Sequence, residues 1–370
     1  MSRIELAKSY WNAFYRGVSQ PSLAALAITL AIVPLLLASF FVFFTPGILA
    51  GPGYRYFMVD AYDTHTRVTH KVLALEPTPS PLVALLGSST TLRCFESQSG
   101  LADSIHALSG VEPVVRNLAT DGQNTWEMAA IVDRLPAGQS GVIVIGVMPG
   151  ILAYGTDELR DIVERPRLGF VSAILDEAAR ENGLEVPNRT GLYSIDNIRF
   201  LAAHRHVLLR NLLFGGVDDG DPLTQPWMKR VNNPEYWAYE ISVLPRLVES
   251  FELNHKDNLA RIKRFMDAAR ASGGYSFLIL NGPYNPAWHD LDEGDAFFTR
   301  YNAVVRQFSK EQDAAYLGIT QRANLKPGDF VDYEGHLGTR GGRARCHKAL
   351  AETLAREHFS QPRGSTDRSP

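Results

Sequence analysis

Short apolar runs without polar alternation punctuate this chain, and between them apolar side chains recur every three to four positions. The runs at 82–86, 142–147 and 275–280 read as strands buried on both faces, as in a parallel sheet. Shorter ones at 114–117 and 315–319 bring the set to five. Periodic stretches at 92–108, 126–135, 297–312 and 342–358 read as helices. Strands alternating with helices predict an α/β domain over 81–358, with three layers, α/β/α, around a five-stranded parallel sheet. The rhythm breaks between about 150 and 270, where 172–182, 194–213 and 240–270 are helical in period. That stretch is expected to be a helical insertion, placed as a cap. A short helix is expected at 64–73 in the lead-in to the sheet.

The hydropathy of the N-terminus is of another kind. No charged residue occurs between Gly17 and Tyr54, and the 24 residues between Pro21 and Pro46 are nearly all Ala, Leu, Ile, Val or Phe. As a helix this segment is roughly 36 Å long, enough to cross a hydrocarbon core of about 30 Å with some tilt. Pro34 falls mid-span, where a membrane tolerates a kink. The run has no polar face, which argues against a buried core helix. A cleaved signal peptide would end in a small-x-small site, and the best candidate, Ile48-Leu49-Ala50, has a bulky residue where a small one is needed. Arg3, Lys8 and Arg16 precede the span, so a cytoplasmic arm (1–21), a single transmembrane helix (22–45) and a linker (46–80) are expected. The remaining domain, roughly 310 residues, then faces the periplasm or its equivalent from the inner membrane. Polar residues with Pro and Gly at 359–370 read as a disordered tail.

Composition adds exclusions. The chain has 370 residues and a net charge of −3, with a pI of about 6.4. Nucleic-acid binding would call for a basic face. No spacing of His, Cys, Asp and Glu calls for a metal, and no motif calls for a cofactor. His204 and His206 are two apart in a helical stretch and point apart, as surface histidines do. His289-Asp290 reads as loop. Trp227, Tyr236, Trp237 and Tyr239 could stack on sugars, although core packing is the commoner fate of such aromatics. Asn188-Arg189-Thr190 has the form of a glycosylation sequon and is read as chance.

The chemistry begins at Gly87-Ser88-Ser89-Thr90-Thr91, directly after the first strand. A sharp turn between a buried strand and a helix start exposes a serine hydroxyl and offers backbone N–H groups to a developing oxyanion. Taken alone, the pair of serines is equally a helix N-cap. A nucleophilic serine needs a base, and the base needs an acid to orient it. Asp332-Tyr333-Glu334-Gly335-His336-Leu337 supplies both on one loop near the far end. Ser89, Gly122, Gly146 and Asn281 all fall at or just past strand ends, where ligands of parallel sheets bind.

Together, Gly87-Ser88-Ser89, the block from Asn117 to Gln123 and Asp332…His336-Leu337-Gly338 resemble the SGNH (GDSL-type) hydrolase superfamily over most of 80–355. The resemblance implies a flavodoxin-like sheet, Ser89 as nucleophile, Gly122 as an oxyanion glycine, and Asp332 and His336 as acid and base. Ser88 is next in line as nucleophile and Glu334 as acid. Two features depart from the family pattern. The third block lacks its Asn, so Asn124 or Asn281 would have to supply that donor, and Asp332 and His336 are four apart instead of three. Cys94 follows Ser89 by five residues and Cys346 follows His336 by ten. A disulfide between them in an oxidising compartment and two buried free thiols both remain open.

With a membrane span ahead of it, the motif set looks like the anchored branch that assists acylation of cell-envelope polymers. That branch includes the teichoic-acid D-alanyl transfer protein and alginate O-acetylation proteins. The resemblance implies a periplasmic serine O-acyltransferase or esterase acting on an acylated or acceptor glycan, beside a multi-pass membrane O-acyltransferase. The alternatives are a catalytically inactive scaffold on such an acyltransferase and a free-standing anchored lipase or esterase. A long apolar cleft in the insertion would favour the lipase or esterase, and a polar, aromatic-lined groove the glycan.

Overall fold

The computed structural model describes residues 9–12, 15, 22–50, 64–206, 208 and 234–360. Arg3, Lys8 and Arg16, on which the predicted orientation rests, lie outside them. So do Trp227, the Tyr236 side chain and 361–370.

Five strands form one sheet: β1 (Leu82–Leu86), β2 (Val114–Asn117), β3 (Ser140–Val147), β4 (Gly274–Asn281) and β5 (Ala315–Gly318). All neighbours pair in parallel, in the order β2-β1-β3-β4-β5. This is the flavodoxin-like order, with its switch point beside β1 and β3, where the chain leaves the sheet in opposite directions. The apolar runs are unbroken because both faces are covered. Ala84 and Leu86 of β1 join Ile143, Ile145 and Phe277 in one core. Val83 and Leu85 join Val142, Val144 and Leu278 in the other. The first core is closed by helices that include α2 (Thr64–Leu73), α5 (Thr125–Val132), α9 (Pro234–Ser272) and α10 (Asp292–Glu311), and the second by α4 (Gln98–Ser109) and α11 (Arg340–His358).

Helix boundaries departed from the periodic reading where local chemistry intervened. The single helix expected at 92–108 is two, α3 (Ser89–Leu92) and α4, because the Ser97 side chain accepts from Gly100 N and caps a fresh start. Helix α10 begins earlier than 297, at a first turn carrying Asp292, Glu293 and Asp295 that favours the positive end of the helix dipole. In the expected insertion, α6 (Pro149–Ala153), α7 (Thr156–Glu164) and α8 (Ala173–Glu181) are short, whereas α9 runs for 39 residues without a break. Its later residues Ile262, Phe265 and Met266 pack in the sheet's first core, so this helix belongs to cap and sheet alike.

At the N-terminus, α1 (Leu23–Phe43) spans 21 residues and contains Pro34. Its side chains are described without a break only over 23–39, and among the described residues no helix is long and apolar enough to cross a membrane. The predicted transmembrane helix is therefore not established by the fold.

Candidate active site

The turn after β1 is built around glycine. Gly87 has φ +146°, and a Cβ there would lie 2.3 Å from Thr91 Oγ1. Its N–H donates to Gln123 Oε1 at 2.7 Å and its carbonyl accepts from Thr120 N at 3.1 Å. Gln123, fully buried, donates in turn to the Leu118 carbonyl. The two sequence blocks that follow β1 and β2 are thus tied into one unit. Ser88 takes the N-cap position of α3 and Ser89 its first turn. The Ser88 hydroxyl lies 3.1 Å from Thr90 Oγ1, while Ser89 Oγ lies 2.6 Å from His336 Nε2. The cap and the nucleophile candidate are therefore different serines.

The acid–base loop follows β5. His336 Nδ1 stands 2.5 Å from Asp332 Oδ2, and Asp332 Oδ1 accepts the N–H groups of Gly335 and His336. That turn is what makes a spacing of four workable, since the chain folds back on the carboxylate. Gly335 has φ +114°, and a Cβ there would meet Pro283 O at 2.0 Å. The Glu334 carboxylate is 4.0 Å from His336 Nδ1 on a side chain 64% exposed, so Asp332 is the histidine's partner. The loop is held by Trp288 Nε1 donating to Tyr333 O, Asn285 Nδ2 donating to Asp332 O, and Tyr333 N donating to Glu240 Oε2 at 2.6 Å. A disulfide joins Cys94, just past α3, to Cys346 in α11, with Cα atoms 5.7 Å apart.

Electrostatics follow from this packing. Burial disfavours the His336 imidazolium, but the charge and hydrogen bond of Asp332 outweigh it and raise the histidine pKa above its ordinary 6.5. Burial likewise works against the Asp332 carboxylate, yet His336 and the two backbone N–H groups hold its pKa below 3.8. Asp332, Glu334 and His336 each offer a ligand atom within 4.8 Å of the others. Both ring nitrogens of His336 are at hydrogen-bond distance of protein partners, Ser89 and Asp332, so a cation on the ring would have to displace one of them.

Of the expected oxyanion donors, Ser89 and Gly122 line one cavity. Among the described residues neither N–H has a protein acceptor. The Gly122 carbonyl is held by Arg167 Nη2, whose guanidinium also grips the buried Glu127. Asn124, expected as a third donor, lies at the start of α5. Its Oδ1 caps α5 by accepting from Trp126 N and Glu127 N, and the residue is absent from the Ser89 cavity. Asn281 donates its amide to Asn302 and Tyr316, so it is no substitute. After β3, Met148 and the first two residues of α6, Pro149 and Gly150, contribute to the cavity wall.

That cavity measures about 260 Å³. Ile151 of α6 and Val243, Leu244 and Leu247 of α9 form an aliphatic side, and Trp288 and Phe298 an aromatic one. A larger depression of about 350 Å³ lies among Phe170, Leu175, Ile195 and Arg199, without Ser89 or His336 in its lining. Residues missed by motif reading are Gln123, Arg167 and Glu240. Glu240 alone had a legible signal: a carboxylate one turn ahead of Val243, Leu244 and Leu247 on a single helix face. His289 pairs with Asp295, and Trp237 packs edge-on against Tyr333, so neither lines the cavity.

No family model and no curated protein matches this chain. Among solved structures, the lipase Lip_vut3 from a goat rumen metagenome is similar at 11% identity, over 76% of this chain and 99% of that one, with a TM-score of 0.35. A likeness this remote carries no functional argument.

Proposed function

We propose that the chain is an SGNH-type serine esterase or acyltransferase working through an acyl-Ser89 intermediate. The single observation that carries this is the continuous relay from Ser89 Oγ through the His336 ring to Asp332. His336 Nε2 takes the Ser89 proton as Oγ attacks an ester carbonyl, and returns it to the leaving alcohol as the C–O bond breaks. Water, or an acceptor hydroxyl, then gives its proton to His336 and attacks the acyl-Ser89 carbonyl, and Ser89 recovers the proton on release. The N–H groups of Ser89 and Gly122 serve the oxyanion in both steps. With no block-three donor, this hole works with two, at a cost of about 10²–10³ in rate relative to a complete one.

The aliphatic wall supplied by α6 and α9 favours an ester with a hydrocarbon moiety, and hence the anchored esterase or lipase over a glycan-dedicated enzyme. The intact relay argues against an inactive scaffold. In this reading residues 22–45 anchor the chain and 81–358 form the extracytoplasmic catalytic domain. The support is the sequence, in which the 24 residues between Pro21 and Pro46 are nearly all Ala, Leu, Ile, Val or Phe, together with Leu23, Leu30 and Leu35, all more than half exposed. Transfer to an envelope glycan beside a membrane O-acyltransferase is the second reading, favoured by that same segment. Ser89→Ala should leave a folded protein that no longer reacts with a fluorophosphonate probe or hydrolyses p-nitrophenyl butyrate. Undiminished labelling would remove Ser89 from the role.

A further inference from the structure

Glu240 is a carboxyl group in the wrong place for a structural residue. It is 4% exposed, on the stripe of α9 that continues through Val243, Leu244 and Leu247 along the Ser89 cavity. Its Oε2 is satisfied by the Tyr333 N–H, but Oε1 is buried without a hydrogen-bond partner. An unmet buried polar atom at such a site is destabilising. An aliphatic residue would complete the wall without that cost.

We propose, on the reading of this cavity as an ester site, that Glu240 is a substrate-binding residue whose Oε1–H donates a hydrogen bond to an oxygen of the bound ester other than those of the scissile group. The substrate class is then an oxygenated aliphatic ester, with an ether, keto or hydroxyl oxygen on the acyl chain or on the alcohol. The apolar walls take the hydrocarbon, and the oxygen meets Glu240 Oε1, among the described residues the one buried side-chain polar atom of the lining without a hydrogen-bond partner. A plain alkyl chain fills the same space and leaves Oε1 unsatisfied. A site built to hydrogen-bond a substrate group discriminates against the analogue lacking it for this reason.

Protonation is consistent with the donor role. Burial, together with the nearby Asp332 and Glu334 charges, lifts the Glu240 pKa to about 8 against the opposing Tyr333 hydrogen bond and the His336 charge. With Oε2 accepting from Tyr333 N, the proton sits on Oε1. The other titratable groups lining the cavity are the Glu334 carboxyl, raised above its ordinary 4.5, and the Tyr154 and Tyr333 phenols, raised above their ordinary 10, all chiefly by burial. The two phenols do not ionise where Glu240 does.

The test uses isosteric pairs in which an ether oxygen, an acceptor only, replaces one CH₂. On the acyl side these are p-nitrophenyl methoxyacetate against butyrate, and 3-methoxypropionate against pentanoate. On the alcohol side the pair is 2-methoxyethyl butyrate against butyl butyrate. Each kcat/KM ratio is divided by the same ratio for alkaline hydrolysis, which removes intrinsic reactivity. The wild type at pH 7 should prefer the ether member of at least one pair by about tenfold, as one hydrogen bond predicts. The side on which the preference appears identifies where the oxygen lies. Glu240→Gln, which keeps an acceptor for Tyr333 N and a donor for the substrate, should retain the preference. Glu240→Leu should abolish it. A loosened loop in that variant would lower both members of a pair alike and leave the ratio unmoved. As pH rises through about 8, the wild-type preference should fall while that of Glu240→Gln stays level. Parity in the wild type on every pair, or a preference that survives Glu240→Leu, overturns the proposal. Fluorophosphonate labelling separates the two ideas. A wild type that labels at Ser89 without any preference defeats only the Glu240 assignment, whereas one that does not label defeats the acyl-Ser89 reading and this proposal with it.

Discussion

Thr91 Oγ1 occupies the space in which Gly146 would carry a side chain: a Cβ on Gly146 would lie 1.9 Å from it. The same hydroxyl sits 2.3 Å from the place where a Gly87 Cβ would stand. The short helix bearing Ser89 is thus pressed against the turn after β1 and against β3 through two glycines, and the aim of the Ser89 hydroxyl depends on both.

Gly146→Ala should therefore displace α3. Overpacking of this kind costs about 1–3 kcal/mol, visible as a lower urea midpoint, and fluorophosphonate labelling of Ser89 should fall with it. Adding Thr91→Ala should recover part of the stability, because the two changes share one contact. Strict additivity of the two effects would show that the contact does not matter.

The relay makes a pH prediction with a definite sign. Catalysis needs neutral His336, whose pKa is raised above 6.5, so kcat/KM should climb with pH through an apparent pKa above that value. Asp332→Asn should remove the support for the imidazolium and cut kcat by about 10⁴, as loss of the orienting acid does in comparable triads. Glu334→Gln should change kcat little. A larger loss from Glu334→Gln than from Asp332→Asn would reverse the assignment.

The same pair contributes to stability in opposite pH windows. The His336 contribution is fully present below pH 6.5 and is lost as pH rises through its raised folded pKa. The Asp332 contribution is present above pH 3.8 and is lost as pH falls through its depressed folded pKa. Urea denaturation of Asp332→Asn against wild type across pH 3 to 9, a range of about six units around these windows, should show the difference narrowing at both ends.

Gln123 links the Gly87 amide to the Leu118 carbonyl at complete burial. Gln123→Leu should strand both groups, at about 1–3 kcal/mol for each unsatisfied one, and lower labelling of Ser89. Gln123→Glu keeps the acceptor for Gly87 and should be the milder change for the turn. Equal labelling rates in wild type and Gln123→Leu would disconnect this residue from the nucleophile.

The Cys94–Cys346 bridge closes a span of 252 residues. Replacing both cysteines by alanine should cost about 2–4 kcal/mol in reversible denaturation while leaving the relay residues in place. A reductant should lower the wild-type midpoint towards that of the double variant, and a midpoint indifferent to reductant would argue for free thiols.

Much of the sheet was legible because burial on both faces removes alternation: β1 and β2 fall at the expected residues, and β3, β4 and β5 within two. Helix starts were less legible. Those at Ser97 and Asp292 depend on capping and on charge in the first turn, which a periodicity of apolar residues does not register. At the site, Ser89, His336 and Asp332 could be picked out because their chemistry requires those residue types in a recognisable order. Asn124 could not be placed from its residue type alone, since an Asn before a helix reads the same as cap or as donor until its hydrogen-bond partners are known.

The sequence by itself determined the alternation of strands and helices, the apolar N-terminal segment and the three groups able to form a relay, because these depend on residue type and local spacing. Only the tertiary structure decided that Asp332 and not Glu334 meets His336, that Ser89 and not Ser88 faces it, and that Cys94 reaches Cys346. It also put Glu240, 93 residues before its Tyr333 partner, in the wall of the Ser89 cavity. Each of these is a distance of a few ångströms between groups far apart in the chain. Such distances are set by how helices pack on the sheet, which no local pattern encodes.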